Sequence, residues 1–332
     1  MQADAAGVQH GYAIQGCVGP YADALHDAGR GERATIGPMA EWLYLDAPCL
    51  IYRAFFGLPP SMRDPDGRAV NAVRGFLDML ARLVIDRRPA GIVAAFDADW
   101  RPASRVAAYA GYKAARPEDP PELPRQFGVI TELLDLFGIP RAEAPDLEAD
   151  DALATLAARV KRGDAAWIVT GDRDLLSLVR DGAVSVLFTV KGVSDLAAFD
   201  EAAVKAKYGV APERYTEFAM MRGDSSDGLP GVAGIGPVRA AKLLETYGSI
   251  DAILEHTKDL PKKQAEAFEA ARGYLAAMRS VVPMHTDAAV HVTAAHPPDR
   301  TRLRDAATRH GVTGPASRLL VALGGEPLVA AK

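Results

Sequence analysis

Three short apolar runs, each closed by an aspartate, set the rhythm of the chain: Trp42-Leu43-Tyr44-Leu45-Asp46, Ile92-Val93-Ala94-Ala95-Phe96-Asp97 and Trp167-Ile168-Val169-Thr170-Gly171-Asp172. Between them, apolar residues recur at helical spacing and predict helices over 70–87, 123–137, 147–161 and 173–180. Continuous apolar runs alternating with amphipathic helices mean strands buried on both faces, so a parallel α/β sheet is expected over residues 42–195. Beyond 195 the strand signal fades. Glu201–Tyr208, Pro212–Arg222 and Val238–Tyr247 read as helices punctuated by Gly and Pro, a second, helical domain over 196–290. Residues 291–332 carry no assignable pattern. Residues 1–41 lack an apolar period and include Gly29, Gly31, Gly37 and Pro38. A poorly ordered extension is expected there, with Met39 as the natural start and the first 38 residues dispensable.

Length and composition narrow the class. A chain of 332 residues, 49% hydrophobic, is long enough for one large domain and a smaller one. Two cysteines, Cys17 and Cys49, are too few for a disulfide framework. There is no apolar run of ~18 residues and no basic leader followed by an apolar one, so no membrane association and a cytoplasmic location are expected. The formal charge of −5 argues at first against a polyanionic partner.

The placement of the acids changes that. In an open α/β sheet the functional crevice lies at the carboxyl ends of the strands, where Asp46, Asp97 and Asp172 stand. Glu148, Asp150 and Asp151 open a helix, Asp174 begins the next, and Asp224 and Asp227 flank a Ser-Ser turn. Each acid alone is better explained as a cap or a solvated turn; the set of nine is not. Nine carboxylates in one crevice need counter-charge. Mg²⁺ or Mn²⁺ supplies it with oxygen ligands, in the two-ion arrangement with ions ~4 Å apart that activates water against a phosphodiester. Setting the nine aside from the 43 acids leaves 34 against 38 Lys and Arg, so the remainder carries about +4, a balance suited to DNA. The seven histidines, His10, His26, His256, His285, His291, His296 and His310, lie outside the acidic set, and structural roles are expected for them. No Ser-His-Asp set or phosphate-binding P-loop is present.

Taken together, the motifs resemble the 5′-3′ exonuclease and flap endonuclease family, which includes the N-terminal nuclease domain of bacterial DNA polymerase I. They are Leu45-Asp46-Ala47, Tyr52-Arg53-Ala54-Phe55-Phe56, Phe96-Asp97, Tyr112-Lys113-Ala114-Ala115-Arg116, Glu148-Ala149-Asp150-Asp151, Gly171-Asp172-Arg173-Asp174, and Gly223-Asp224-Ser225-Ser226-Asp227 running into Gly231–Gly236. The likeness covers about Leu43 to Val282. It implies a PIN-like α/β core, a helical arch over the site and a helix-three-turn-helix module beside it. It also implies that Asp46, Asp97, Glu148 and Asp150 hold a first metal, that Asp172, Asp174, Asp224 and Asp227 serve a second, and that Asp151 acts in either shell.

Residues 101–125 are the candidate arch, with Arg101, Arg105, Lys113, Arg116 and Arg125 facing the acidic pocket across a gap. Lys113 and Arg116, expected at i, i+3 on a helix, would position the scissile phosphate. Tyr112 would stack on an end base, and Arg53 and Arg105 would contact DNA. Gly231, Gly234 and Gly236 space a loop that lets backbone approach duplex DNA, with Arg239 and Lys242 extending the contact. In the family this loop also presents carbonyls to a potassium ion.

The chain departs from the family pattern at Ala47, Pro48-Cys49, Ser104, Gly228, Ala233 and Val238, the last standing where a phosphate-contacting Lys is common. The expected activity is metal-dependent cleavage of DNA at 5′ ends or flaps, leaving a 5′-phosphate, by a monomer. A PIN-type ribonuclease and an inactive DNA-structure-binding protein are the alternatives.

Overall fold

The computed structural model describes residues 40–328. The expectations for residues 1–39, including the start at Met39, lie outside them, and Glu41 already belongs to the first strand. β1 (Glu41–Asp46), β2 (Gly91–Ala95), β3 (Arg141–Glu143), β4 (Ala165–Thr170), β5 (Val184–Lys191), β6 (Asp195–Phe199) and β7 (His291–Val292) form one sheet in the order β6-β5-β4-β1-β2-β3-β7. The five inner strands are parallel, as expected, but both edges are not: β6 and β7 run antiparallel to their neighbours. The strand region therefore continues past residue 195, which opens β6 rather than a helical domain.

Strand periodicity sorts the inner strands into two cores. Leu43 and Leu45 of β1, Ile92 and Ala94 of β2 and Val169 of β4 enter one. Trp42 and Tyr44, Val93 and Ala95, and Ala166 and Ile168 enter the other. The first core is closed by α1 (Ala47–Gly57), α2 (Asn71–Arg87) and α4 (Leu123–Phe137). The second is closed by α5 (Ala149–Ala158) and by the helical unit α6 (Glu201–Tyr208), α7 (Tyr215–Arg222), α8 (Pro237–Tyr247), α9 (Ile250–Glu255) and α10 (Lys262–Val281).

The C-terminal stretch, unassigned from sequence, returns to the first core. β7 adds to the sheet edge beside β3, and α11 (Arg300–Arg309) and α12 (Thr313–Ala322) place Leu303, Ala306, Leu319 and Leu320 against the α2 and α4 side. Its signal is weak because β7 has two residues and α11 is dominated by arginines. Among the described residues no helix is long and apolar enough to cross a membrane.

One buried polar pair ties α1, α2 and α4 together. Gln126 of α4, fully buried, accepts the free N–H of Ala72 at 2.8 Å and donates to Asn71 Oδ1 at 3.1 Å. Asn71 in turn donates to Phe55 O at 2.6 Å. Gln126→Leu is expected to lower stability by about 1–3 kcal/mol, since it leaves the first-turn N–H of α2 buried and unpaired. Chemical denaturation of the variant and the wild type checks this, and an unchanged midpoint contradicts it.

Candidate metal centre and nucleic-acid interface

The acids gather where the parallel strands end. Asp46 closes β1 and caps α1: its Oδ1 accepts from Cys49 N at 3.1 Å and its Oδ2 from Thr170 Oγ1 at 2.6 Å. Thr170 ends β4, and its hydroxyl also accepts from Asp172 N at 2.8 Å. Asp172 Oδ1 then accepts from Asp174 N at 2.9 Å. Asp97 and Asp172 stand two residues beyond β2 and β4 rather than on them. Asp97 reaches across to accept from Ala149 N at 2.8 Å, on the first turn of α5, whose N-cap is Glu148.

Crowding is visible in the acidities. Burial, then neighbouring Asp172 and Asp97, pushes Asp46 up to about 7, against the hydrogen bonds from Thr170 and Cys49. Burial and then Asp172 push Asp174 up to about 7. Burial raises Asp150 well above the carboxylate range, reinforced by Asp172, Asp46 and Glu148. Burial also raises Asp97, Glu148 and Asp172, the last with added repulsion from Asp227 and Asp224. Eight of the nine expected acids thus feel one another. Even so, among the described residues no three His, Cys, Asp or Glu side chains stand in a ready arrangement to hold a metal ion.

Asp151 differs from the other eight acids, and its contacts leave it the outer of the two places expected for it. Fully buried, it accepts the Arg105 fork at 2.7 and 2.9 Å, Glu148 N at 3.2 Å and His285 N at 2.9 Å. With its lone pairs taken, it braces Glu148 through a reciprocal capping box instead of facing an ion.

The candidate arch is also corrected. Residues 101–125 hold one six-residue helix, α3 (Ala103–Ala108), then turns through residue 115, and reach the first residues of α4 only at Leu123. Lys113 and Arg116 are therefore on a turn, not a helix, and Lys113 sits at φ 50°. Nor is there a gap: Lys113 Nζ meets Glu148 Oε2 at 2.6 Å, Arg116 NH2 meets Asp227 Oδ1 at 2.6 Å, and Lys113 N donates to Asp227 O at 2.8 Å. Arg105 is buried on Asp151, so it does not face DNA. Tyr112 is buried too, donating to Glu148 Oε1 at 2.7 Å, and offers no ring for stacking. Arg53 lies over Gly171, where an added Cβ would stand 2.3 Å from its guanidinium.

The glycine loop adjoins the site. Gly228, at φ 72°, packs so closely that a Cβ would fall 2.5 Å from Gly111 O, which joins the loop to the basic turn. Gly231 and Gly234 also have positive φ, whereas Gly236 caps α8 with φ −85°. Arg239 NH1 donates to Gly234 O at 2.6 Å, and Lys242 and Val238 are exposed on α8.

Three residues escaped the sequence reading. Thr170 ties Asp46 to Asp172. Arg173 and Arg222 line a cleft of about 430 Å³ beside Asp224, with Arg222 NH2 3.8 Å from Asp174 Oδ1. Arg222 directly precedes the Gly223-Asp224 motif, a signal available in the sequence.

Two family models match the chain: the N-terminal resolvase-like domain of 5′-3′ exonucleases over residues 41–209 and their C-terminal SAM fold over residues 210–304. A 5′-3′ exonuclease of Mycobacterium tuberculosis is 42% identical over 309 residues, covering 84% of this chain and 96% of that protein. The chain belongs to the 5′-3′ exonuclease family. Its relative in Streptomyces coelicolor, also a 5′-3′ exonuclease, is 43% identical over 301 residues, 85% of this chain and 99% of the relative. DNA polymerase I of Bacillus subtilis is 36% identical over 251 residues, 75% of this chain but 28% of the polymerase.

The fold is shared with T5 5′-exonuclease bound to divalent zinc, at TM-score 0.56, 18% identity and coverage of 85% and 99%. It is shared as well with the catalytic core of Rad2 in complex with DNA substrate, at TM-score 0.55, 19% identity and coverage of 86% and 93%. In this exonuclease-family chain the first model contains Asp46 through Asp174, and the second contains Asp224, Asp227 and the glycine loop.

Because the folded state raises Asp46 and Asp174 to about 7, it binds more protons than the unfolded chain between the ordinary carboxylate range and neutrality. Their contribution is therefore most favourable in acid and is lost as pH rises towards 7. Without divalent ions, Asp174→Asn should melt increasingly above the wild type between about pH 5 and about pH 8, by a few degrees at about 2–4 °C per kcal/mol. Thermal melts in chelator check this; a gap that narrows with pH contradicts it.

Proposed function

We propose that the chain is a Mg²⁺- or Mn²⁺-dependent nuclease that hydrolyses phosphodiester bonds at 5′ ends or 5′ flaps of DNA, acting as a cytoplasmic monomer in replication and repair. The observation that carries this reading is the meeting of eight carboxylates, from segments far apart in the chain, with a basic turn laid directly against them. The donor set is all oxygen, which suits hard divalent ions. Asp174 Oδ1 is buried without a hydrogen-bond partner, and burial beside other acids raises Asp46 and Asp150 above the usual carboxylate range, so these residues fit a cation. Asp46, Asp97, Glu148 and Asp150 would hold one ion, and Asp172, Asp174, Asp224 and Asp227 a second. Such ions lower the pKa of water and stabilise a departing oxygen.

The chain's own residues do the rest. Thr170 fixes the rotamer of Asp46 and orients the Asp172 backbone through one hydroxyl. Asp151, clamped by Arg105, keeps Glu148 at the head of α5. Lys113 and Arg116 serve as counter-charge to Glu148 and Asp227 in the free protein. A phosphate entering between them meets two cations already placed at the carboxylates, which positions the scissile bond and offsets developing charge. Gly231, Gly234 and Gly236 with Arg239 and Lys242 would take the duplex backbone without reading sequence, and a potassium ion at this loop belongs to the same proposal.

Asp150→Ala should lower cleavage of a labelled flapped duplex by about 100-fold or more while the DNA still binds, and chelator should abolish it. Undiminished cleavage in either case defeats the reading, and faster cleavage of single-stranded RNA than of the flap favours a ribonuclease. Val238, 82% exposed on the first turn of α8, brings no charge with which to meet a phosphate. Val238→Lys should steepen the salt dependence of DNA binding by about one in log K against log salt. Binding isotherms across salt concentrations measure it, and an unchanged slope places Val238 away from the backbone.

A further inference from the structure

The two halves of the carboxylate group differ in their internal counter-charge. Around Asp46, Asp97, Glu148 and Asp150, Lys113 contributes a cation at Glu148, while Arg105, 3.4 Å from Glu148, spends its fork on Asp151. Within ion-pair distance, four carboxylates there face one cation that is not spent on an acid outside the group, a formal deficit of three. Around Asp172, Asp174, Asp224 and Asp227 the count is different. Arg116 meets Asp227 at 2.6 Å, Arg173 meets Asp224 at 3.4 Å, and Arg222 stands 3.8 Å from Asp174 and 3.6 Å from Asp224. Four carboxylates face three guanidiniums, a formal deficit of one. A single divalent ion in the inner group relieves most of its repulsion, whereas one in the outer group would overshoot neutrality.

Arg222 is the least replaceable of the three. Its side chain is 11% exposed. Nε donates to Gly223 O at 3.1 Å, NH1 donates to Tyr215 Oη at 3.4 Å, and the guanidinium lies 5.5 Å over the Phe218 ring. Those contacts hold it from behind. Its NH2 and the facing Asp174 Oδ1 are both buried and both lack a hydrogen-bond partner. The contrast with the fork of Arg105 on Asp151 matters: Arg222 stands off from its acids, so it offsets their charge without consuming their lone pairs. A guanidinium cannot give up its proton in a protein, so this charge is permanent.

We infer that Arg222 is a resident cation of the outer carboxylate group, performing part of the charge compensation a second divalent ion would provide, so that the outer site binds its ion weakly. The inference rests on the metal-dependent reading above and concerns the unequal affinity of its two sites.

Calorimetric titration of Mn²⁺ into the metal-free full chain tests this. The wild type should bind one ion tightly and a second about tenfold or more weaker. Arg222→Met, of similar length and apolar, should tighten the second step by about tenfold or more and leave the first unchanged, while Arg222→Lys should keep the second step weak. Two ions of equal affinity in the wild type overturn the inference, with no variant needed. It is equally overturned by an unmoved second step in an Arg222→Met protein whose first step is intact, or by Arg222→Lys behaving as Arg222→Met does. A wild type that binds no Mn²⁺ and cuts flaps in chelator defeats the metal-dependent reading itself. A single tight site with metal-dependent cleavage, but no response to Arg222→Met, defeats the inference alone.

Discussion

Repulsion among carboxylates confined at one end of a parallel sheet is the constraint on which the rest of the molecule depends. Eight acids from β1, the β2 and β4 ends, the head of α5 and the loop after α7 cannot all carry full charge in a low-dielectric crevice. The fold answers in two ways. Asp46, Asp150 and Asp174 are pushed towards the protonated form, and Lys113, Arg116, Arg173 and Arg222 are brought within ion-pair or near-ion-pair distance. Neither answer is the stable end point for a hydrogen-bonded core, because an orphaned Asp174 oxygen and an unmatched Arg222 nitrogen remain buried. The site carries an unmet electrostatic demand.

That demand is held in place by the sheet. β1, β2, β4 and β5 each feed residues to both cores, so these strands are fixed from both faces and their ends have little freedom. Asp46 inherits this rigidity directly as the last residue of β1, and Thr170, last of β4, carries it to Asp172. Asp97 inherits it through Ala149 N, which fastens the β2 end to α5. The C-terminal return through β7, α11 and α12 reinforces the same frame from the opposite side, since it closes the core that α1 and α2 share.

Much of this was legible in the sequence where the signal is local. A run such as Trp42–Asp46 declares a buried strand and an acid at its end, and the helices over 71–87 and 123–137 follow from their apolar spacing. What escaped depended on partners distant in the chain. Arg105 read as a DNA contact by its charge and Tyr112 by its ring, but Asp151 and Glu148, 46 and 36 residues away, pair with them in the interior. Arg222 ends α7, where a basic residue is already explained by the helix dipole, so its one local mark, the Gly223-Asp224 that follows it, was easily passed over. Asp151 is the instructive exception: Glu148 and Asp151 are spaced as a capping box, and that pattern alone argues against a free carboxylate. The edge strands β6 and β7 failed to register because partly exposed or two-residue strands lack a continuous apolar run.

The meeting of Lys113 with Asp227 links chemistry to duplex position. Lys113 is held in the left-handed region, at a cost of about 1–2 kcal/mol for a residue with a Cβ. The conformation persists because its N–H reaches Asp227 O, its ammonium reaches Glu148, and Gly228 packs against Gly111 with no room for a side chain. One turn therefore joins the head of α5 to the loop that leads into Gly231–Gly236 and α8. A backbone grasped at that loop would lie at a fixed offset from Glu148 and Asp227, so where the strand is cut would follow from where the duplex is held. Base identity need not enter, because every group in this linkage is a backbone amide, a glycine or a charge.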